Sequence, residues 1–497
     1  MKPTIHFQGQ TGDPEEFFAR YQRSASALQA LGVGPGDVVA LMLRNEPMLL
    51  ELMLATRQLG AHWCPVNWHF KADELRYILE DSGAKVFIAH TDLLEPLAPA
   101  CPASVQVYAV TPPGAAPAST HPLWEQFRDA AARPPAEAQP ARGAMLYTSG
   151  TTGRPKGIRR QPATPEQSAQ NQLMQRLTLG IAPGMRALVS APMYHSAPNS
   201  FSVGVAQEGG HLWIEPRFDP EQTLALIERH RITHAYLVPT MYVRMLRLPE
   251  EVRQRYDLSS MRFVSSTGSP CAPEVKRAMI EWWGPVINEA YGSSELGYMT
   301  VLDSADALRK PGSAGRPLPG VRMRILDEDG KPVPQGQAGL IHVHQPAYAD
   351  FTYNNNDAAR RRMEQGGLLT MGDIGYLDEE GFLFIVDRAA DMVISGGVNI
   401  YPAEIEAVLQ IMPGVADCAV FGIPHPEFGE ALAAAVQPLP GTVLEAAQVS
   451  AFLQERLAGY KVPRVVTFHA ELPREDTGKI FKRKLRDPYW EGMQRRI

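Results

Sequence analysis

The sequence predicts an α/β fold, in which a large N-terminal domain of mixed α/β sheets with a β-rich subdomain precedes a small α+β C-terminal domain. Three observations support this prediction. Apolar strand-like runs alternate with helical patterns in the first part of the chain, which is typical of parallel sheets covered on both faces. Short strands separated by Gly, Pro and Asp follow after about residue 311. A second mixed segment begins near residue 389.

The elements of the first part follow from apolar periodicity and from Gly and Pro boundaries. Apolar residues recur at helical spacing from Phe17 to Leu31 and predict the first helix. Residues 96–142 are rich in Ala and Pro and predict an irregular excursion rather than a core element. The remaining predicted strands are 38–43, 85–89, 187–190, 235–238 and 261–265, and the predicted helices are 47–59, 73–79, 224–231 and 273–283.

The second mixed segment of helices and strands, which begins near residue 389, predicts a domain boundary between residues 388 and 389. This gives domains 1–388 and 389–497. No internal repeat is evident. The predicted strands before the boundary are 321–326, 340–344 and 381–386, and the elements after it are helix 402–409, strand 416–421, helix 446–457 and strand 464–468.

Composition excludes several classes of protein. The 497 residues include 48 Lys and Arg against 54 Asp and Glu, so the net charge of −6 offers no broad basic surface and predicts no nucleic-acid partner. Four cysteines lie far apart without a C-x-x-C pair, which is typical of the reducing cytosol. The chain has neither an apolar signal core nor an integral membrane segment, so we expect a cytoplasmic protein. Base rates favour a homodimer.

The clearest motif is Tyr-Thr-Ser-Gly-Thr-Thr-Gly-Arg-Pro-Lys-Gly at residues 147–157. Glycines let a ligand approach the backbone, consecutive N–H groups can cradle an anion, and Lys156 adds a charge suited to phosphate. It is not a Walker A loop, because Pro155 stands where that motif requires Gly. The alternative interpretation is a flexible polar loop without a ligand.

Four further motifs follow in order. Residues 291–295, Tyr-Gly-Ser-Ser-Glu, combine an aromatic ring for a base with a carboxylate for Mg²⁺, although a turn with an exposed Glu has the same pattern. Asp373 is suited to gripping vicinal ribose hydroxyls and precedes the Asp387-Arg388 pair. Residues 391–406 contain two adjacent glycines, and residues 472–480 contain Lys479, which a solvated surface lysine would equally explain.

Together and in this order, the five motifs resemble those of the adenylate-forming superfamily, which includes acyl-CoA synthetases, firefly-type luciferases and adenylation domains of peptide synthetases. The resemblance extends from about residue 15 to residue 487. It implies a two-step reaction, in which a carboxylate attacks the α-phosphorus of ATP with release of pyrophosphate, and the acyl group then passes to a thiol. It also implies Mg²⁺ as the cofactor.

The resemblance implies the following roles. Lys479 is catalytic and bridges the carboxylate and the α-phosphate, His195 lies near the carboxylate, and Glu295 with Thr151 holds the metal. Ala390 aligns with the hinge of a mobile C-terminal domain, with Asp391 one position away, and Ser395, Gly396 and Gly397 line the CoA channel. The implied ATP and AMP contacts are Thr148, Ser149, Gly150, Thr151, Thr152, Gly153, Lys156, Gly268, Ser269, Pro270, Glu289, Ala290, Tyr291, Gly292, Ser293, Ser294, Asp373, Arg388 and Lys479.

The acid-binding residues implied by the resemblance are mainly apolar and aromatic. They include no Asp for an amino group and no Arg or Lys for a second carboxylate, which favours a fatty, aryl or steroid-like acid. We therefore expect an ATP-dependent acyl-CoA synthetase that takes a small-molecule carboxylic acid, ATP and CoA. The alternatives are a ligase that loads a separate carrier protein and a non-catalytic nucleotide-binding protein. The implied acyl-pocket residues are Tyr194, His195, Ala197, Phe201, Tyr236, Met241 and Val264.

Overall fold

The computed structural model describes residues 2–117, 119–130, 136–148, 155–327, 329–389, 391–395, 398–474 and 480–491. Contacts divide the chain into two compact units. Unit 1 comprises Met1–Pro311, Leu318–Val321 and Gln345–Glu364, and unit 2 comprises Gly312–Pro317, Arg322–His344 and Gln365–Ile497. The β-rich segments after residue 311 therefore group largely with the C-terminal part, while the functional boundary between residues 388 and 389 stays a prediction.

The helices begin where proline and capping side chains favour them. Proline occupies the first turn of many helices, where its missing N–H costs no hydrogen bond. Thr164 caps α6 by accepting a hydrogen bond from the Gln167 N–H at 3.2 Å. The helices are α1 (Pro14–Ala30), α2 (Pro47–Gln58), α3 (Ala72–Ser82), α4 (Thr91–Leu94), α5 (Trp124–Asp129), α6 (Pro165–Leu179), α7 (Ser196–Glu208), α8 (Pro220–His230), α9 (Pro239–Leu246), α10 (Glu250–Arg253), α11 (Pro273–Trp283), α12 (Ser304–Arg309), α13 (Asp357–Arg362), α14 (Pro402–Gln410), α15 (Ala446–Gln454) and α16 (Lys482–Trp490).

The strands are mostly short apolar runs bounded by turns. They are β1 (Thr4–Phe7), β2 (Gln10–Thr11), β3 (Val38–Met42), β4 (His62–Pro65), β5 (Val86–His90), β6 (Gln106–Val110), β7 (Tyr147–Thr148), β8 (Lys156–Arg160), β9 (Arg186–Val189), β10 (His211–Ile214), β11 (His234–Leu237), β12 (Phe263–Ser266), β13 (Ile287–Ser293), β14 (Gly297–Leu302), β15 (Arg316–Pro317), β16 (Arg322–Leu326), β17 (Gly339–His344), β18 (Phe351–Tyr353), β19 (Glu364–Gln365), β20 (Leu368–Leu377), β21 (Leu383–Arg388), β22 (Val393–Ser395), β23 (Val398–Ile400), β24 (Val415–His425), β25 (Gly429–Pro438) and β26 (Val465–Phe468).

Unit 1 contains the predicted parallel sheet. Its strands lie in the order β14-β13-β12-β11-β9-β10-β1-β2. The neighbours from β13 to β1 pair in parallel, and β14 and β2 pair antiparallel at the two ends. Every residue of β11 is buried, as expected for a parallel strand covered on both faces. The prediction of a mixed α/β fold with several sheets is confirmed.

A second sheet of unit 1 corrects one expectation. It has the order β4-β3-β5-β6, and all of its pairs are parallel. Its last strand, β6, lies inside residues 96–142, which the sequence predicted to be irregular. That prediction was wrong because the Ala and Pro content conceals a short apolar run, in which Ala109 and Val110 are buried. Trp124 at the start of α5 is also fully buried.

Unit 2 contains two sheets of its own. In the first, β17 lies between β16 and β20, and β21 pairs antiparallel with β20. The second has the order β23-β22-β25-β24, with β26 parallel to β25. α14 and α15 pack on this second sheet through a core that includes Ile405, Leu409 and Val449. No helix among the described ranges combines the length and the apolar character needed to cross a membrane.

Candidate active site

The candidate site of unit 1 lies at the carboxyl edge of its parallel sheet, where loops from neighbouring strands converge. β9 leads into the loop that carries His195, β11 leads into α9, and β12 leads into Gly268. β13 leads into the turn that carries Glu295. Strands β9, β11, β12 and β13 are adjacent and parallel, so the sheet brings together segments that are far apart in the sequence.

Glu295 is the central charged group of this edge. It is 4% exposed, and its Oε1 accepts hydrogen bonds from Thr148 Oγ1 and from the Tyr353 hydroxyl, both at 3.1 Å. Its other oxygen, Oε2, accepts none from the residues that the structure describes. Burial and the neighbouring Glu295 carboxylate raise the pKa of Tyr353 above its usual value, so its phenol stays a hydrogen-bond donor.

A small antiparallel sheet places these groups. Thr148 ends β7 and pairs with Lys156 at the start of β8, and β8 pairs in turn with β18, which carries Tyr353. Lys156 Nζ lies 5.2 Å from the centre of the Tyr353 ring. The two ends of the glycine-rich segment therefore meet beside Glu295. Ser149, Gly150, Thr151, Thr152 and Gly153, which the resemblance assigns to ATP, lie outside the described residues.

Arg160 fixes the backbone of the Glu295 turn. Its Nη2 donates to the carbonyls of Ser294 at 2.8 Å and Glu295 at 2.6 Å, and its Nη1 donates to Ala349 O at 2.9 Å. Burial lowers the pKa of the Arg160 guanidinium below its usual value, and that usual value lies far above neutrality. Arg160 therefore joins β8 to the turn after β13 and holds the carboxylate near Thr148.

The residues expected at the nucleotide base lie on β12, β13 and the turns that follow. Gly268 has φ +98°, a backbone conformation that favours glycine. The Glu289 carboxylate forms an ion pair at 2.7 Å with Lys276, whose side chain is buried, while that of Glu289 keeps 13% of its surface exposed. Burial raises the pKa of Glu289, and Lys276 opposes that rise. Ser269 and Pro270 follow Gly268, while Ala290, Tyr291, Gly292 and Ser293 belong to β13, and Ser294 follows it.

The expected acid-binding residues are mainly buried. Phe201 of α7 and Tyr236 of β11 lie with their ring centres 6.1 Å apart. Met241 lies in the first turn of α9, and Ala197 is partly buried on α7. Burial raises the pKa of Tyr236, so its hydroxyl remains protonated. The buried members of this group are Tyr194, Phe201, Tyr236, Met241 and Val264.

His195 is the residue immediately before α7, and we call residues 191–195 the His195 turn. The ring of His195 lies 4.2 Å from that of Tyr194, measured between centres. Tyr194 also meets Trp68 edge to face at 4.7 Å. Trp68 follows β4 of the second sheet, so this sheet contributes an aromatic wall that the sequence analysis did not include.

In unit 2, Asp373 and Arg388 occupy directly opposite positions on β20 and β21. Arg388 Nε donates to Asp373 Oδ1 at 3.1 Å, and Asp373 is 5% exposed. The structure thus brings together the two residues expected at the ribose. Ser395 ends β22 and pairs with Val398, whereas Gly396, Gly397 and Ala390 lie outside the described residues.

Lys479 also lies outside the described residues, but both of its flanks are held within unit 2. Arg474 and Ile480 form an isolated β-bridge, and the Phe481 N–H donates to Pro473 O at 2.8 Å. Arg474 forms an ion pair with Asp417 at 2.6 Å. The described residues on either side of Lys479, 473–474 and 480–481, are therefore bonded to each other.

Lys482 anchors the second flank inside a cluster of carboxylates. Its Nζ lies 2.8 Å from Glu406 Oε1. Burial alone would lower the pKa of Lys482, but Glu406, Asp391 and Asp387 raise it above its usual value. Burial raises the pKa of Glu406, and Lys482 opposes that rise. Asp387 and Asp391 lie on either side of position 390, where the hinge is expected. Lys482 therefore interacts electrostatically with the residues around the hinge as well as holding the flank of Lys479.

Comparisons with known proteins identify the family. Residues 2–350 match the model of the AMP-binding enzyme family, and residues 404–479 match its C-terminal domain. The chain belongs to the AMP-binding enzyme family. This result confirms the resemblance inferred from the five motifs.

Relatives of this AMP-binding enzyme span nearly its whole length. A feruloyl-CoA synthase from an Amycolatopsis species is 35% identical over 473 residues, covering 95% of this chain and 92% of the relative. The long-chain-fatty-acid–CoA ligase FadD13 of Mycobacterium tuberculosis is 34% identical and covers 94% and 91%. The structure of Bacillus subtilis o-succinylbenzoate coenzyme A synthetase with ATP and magnesium is 29% identical, has a TM-score of 0.82, and covers 97% and 96%.

Several residues of the site were missed by sequence reasoning. Arg160, Tyr353 and Trp68 touch the site from strands and loops outside the five motifs. Their partners lie between 58 and 135 residues away along the chain, so no local pattern connects them. The sequence offers one signal for Arg160, because Arg159 and Arg160 form a cationic pair just after the glycine-rich motif, at the end of a strand.

Proposed function

We propose that this AMP-binding enzyme is an AMP-forming carboxylic acid–CoA ligase. In the first half-reaction, an acid oxygen attacks the α-phosphorus of ATP, the P–O bond to pyrophosphate breaks, and acyl-AMP forms. In the second, the CoA thiolate attacks the acyl carbon and AMP leaves, giving the thioester. The protein contributes chiefly position and charge, because both steps need aligned anions rather than a protein nucleophile.

The observation that carries the proposal is the 3.1 Å contact between Glu295 and Thr148 at the base of the glycine-rich segment. A carboxylate and a hydroxyl are the hard oxygen donors that Mg²⁺ prefers beside a triphosphate. The residues present therefore fit Mg²⁺, with Glu295 as a ligand and Thr151 as the second expected one. When bound, the ion would neutralise phosphate charge. Lys156, at the other base of the segment, would add a positive charge near the same phosphates.

Support for the remaining roles comes from the family. Lys479 would hold the carboxylate and the α-phosphate together against their mutual repulsion during adenylation. His195 would contact the acid carboxylate from the start of α7. Asp373 would bind the ribose hydroxyls, with Arg388 orienting its carboxylate across the strand pair at 3.1 Å. These assignments divide the work between binding the nucleotide and binding the acid.

The proposed acid is apolar. The expected pocket consists mainly of buried aromatic and aliphatic side chains, including Phe201, Tyr236 and Val264. Such a lining favours a fatty or aryl acid over an amino acid or a diacid, because it offers no charge to a second ionised group. The names of the two relatives, which specify feruloyl and long-chain fatty acyl substrates, fit this range.

The proposed second half-reaction depends on the C-terminal domain, residues 389–497. Ser395, Gly396 and Gly397 would line the route by which the CoA thiol enters, and Ala390 would be the hinge between two working positions. A rotation of this kind lets one pocket serve two reactions in turn.

The experiment is pyrophosphate release with ATP and Mg²⁺ across fatty acids, benzoates, cinnamates and a bile acid, each with and without CoA. Acid-dependent release that turns over only with CoA and yields AMP and a thioester supports the ligase and names its acid. Release limited to a single turnover at every CoA concentration would point to a carrier protein as the acceptor. Nucleotide binding without any release would contradict an enzymatic role.

Glu295→Gln tests the observation directly. The amide keeps the size and the two hydrogen bonds but removes the negative charge, so we expect adenylation to fall about 100-fold, with the residual rate shifted to higher Mg²⁺ concentrations. Glu281→Gln, an exposed change on α11, is the matched control and should behave as the wild type. An unchanged Mg²⁺ dependence in Glu295→Gln would remove Glu295 from the metal site.

A further inference from the structure

The main chain of the His195 turn is held on both sides by buried side-chain amides. The Met193 N–H donates to Asn45 Oδ1 at 2.7 Å, and Met193 O accepts from Asn199 Nδ2 at 3.0 Å. Asn45 is 1% exposed and Asn199 is 2% exposed. A single residue of the turn is therefore hydrogen-bonded on both sides by neutral groups that are almost completely buried.

Asn45 does more than accept one hydrogen bond. Its Nδ2 donates to Ala191 O at 2.9 Å and to Glu215 O at 3.1 Å. Ala191 follows β9 and Glu215 follows β10, whereas Asn45 lies between β3 and α2. One amide thus joins three loops from two different sheets. Its donors and its acceptor are all used, and such a satisfied buried group specifies a single orientation.

Asn199 extends the same arrangement to the aromatic wall. Its Oδ1 accepts from Trp63 Nε1 at 3.1 Å, and Trp63 belongs to β4. The turn beside Met193 carries Tyr194, which packs on Trp68, and His195, which precedes α7. A displacement of Met193 would consequently move both rings that face the expected acid.

We propose that Asn45 is a positioning residue that fixes the His195 turn and thereby sets the affinity for the carboxylic acid. The inference rests on the proposed ligase function. Asn45 acts through the Met193 main chain rather than by touching the substrate. Its loss should therefore weaken the acid's binding without affecting the nucleotide, whose expected contacts lie on β7, β12, β13, β20 and β21 and in the turns that follow β12 and β13.

Two variants test this role. Asn45→Ala removes all three hydrogen bonds, and Asn45→Asp keeps the shape and the acceptor for Met193 N but offers no donor to the two carbonyls. We expect the KM for the acid to rise about ten-fold or more, as the loss of two hydrogen bonds (Asn45→Asp) or three (Asn45→Ala) predicts, while the KM for ATP stays within about two-fold. Thr56→Val is the matched control, because it removes a buried hydrogen bond of α2, to Leu52 O at 2.7 Å, away from the turn.

Hydrogen–deuterium exchange of the ligand-free variants supplies a readout that does not depend on catalysis. Faster exchange of residues 191–197 in both Asn45 variants, and not in Thr56→Val, would support the positioning role. Unchanged protection there, or equal increases in the KM for acid and ATP, would overturn it. The wild type could also show no acid-dependent pyrophosphate release while both Asn45 variants still exchange faster. That result would support the positioning role of Asn45 and overturn the proposed ligase function.

Discussion

The His195 turn and the flanks of Lys479 are both held firmly, but by different kinds of interaction. The turn depends on neutral amide hydrogen bonds from Asn45 and Asn199, which are almost completely buried. The flanks depend on ion pairs, Arg474 with Asp417 and Lys482 with Glu406, whose side chains keep 15–23% of their surface exposed.

The difference teaches how each region can respond. A buried neutral hydrogen bond is directional and insensitive to salt, and it loses its partner only when the core opens. A partly exposed ion pair keeps contact with solvent, which compensates its charges whenever the local structure rearranges. The His195 turn is therefore held by directional hydrogen bonds between buried groups. The flanks of Lys479 are held by ion pairs whose partners all lie within residues 389–497, so they would move together in the rotation proposed for those residues.

The largest expected effect comes from the lysine side. Lys479→Ala should lower adenylation by about 100-fold or more, because a positive charge between two approaching anions is lost. Thioester formation from supplied acyl-AMP and CoA should keep its wild-type rate. Separate assays of the two half-reactions make the measurement, with Lys484→Ala as a control because Lys484 is exposed on α16. Equal losses in both half-reactions would contradict the proposed role.

The next effect concerns the stability of unit 2. Lys482→Ala leaves Glu406 without its cation while Asp387 and Asp391 remain close by. Because the pair is partly exposed, we expect a loss of about 2 kcal/mol in the free energy of unfolding, between the values for exposed and for buried pairs. Lys482→Arg should recover most of it. Urea unfolding followed by tryptophan fluorescence, with Lys484→Ala as the reference, measures the difference.

A Lys482→Ala protein as stable as wild type would break the comparison. It would mean that the flank is held by its apolar contacts alone, chiefly Ile480 and Leu485 against the cluster around Phe421. The ion pairs would then be incidental, and the two regions would not differ in the way described.

The sequence predicted the elements where a single apolar run or helical pattern lies between clear boundaries. The prediction 273–283 coincides with α11, and the predicted strand at 38–43 is one residue longer than β3. β6 was missed because its apolar run is embedded in an Ala- and Pro-rich segment. Whether that run forms a strand depends on its pairing with β5. Pairing of that kind is a property of the fold rather than of the local sequence.

The site shows the same division. The ordered motifs identified the family and named Glu295, Asp373 and Arg388, because those motifs are contiguous in the chain. The hydrogen bond by which Asn45 holds the His195 turn could not be predicted from the sequence, because Asn45 and Met193 are 148 positions apart. The sequence presents Asn45 simply as a polar residue between a buried strand and a proline-led helix. Only the assembled sheets show that its amide reaches three loops.

The smallest expected effect sharpens the comparison from the acid side, where protonation of His62 should make the stability depend on pH. This residue is fully buried at the start of β4, next to Trp63, and its Nδ1 contacts Gly143 O at 2.9 Å. Burial, with a contribution from Arg159 and Arg142, lowers the pKa of His62 to about 4, although the hydrogen bond to Gly143 opposes that shift.

Because the folded state disfavours the protonated imidazole, the unfolded state binds more protons between about pH 4 and 6.5. The stability that His62 contributes is therefore complete above pH 6.5 and is lost as the pH falls toward 4. Between pH 7.5 and pH 5 the loss should be up to about 2 kcal/mol. His62→Gln, which retains a donor for Gly143 O, should show a smaller loss in urea unfolding over this interval. If the variant and the wild type lose stability equally, then His62 is already protonated in the folded wall, and that wall is less isolated from water than the amide hydrogen bonds imply.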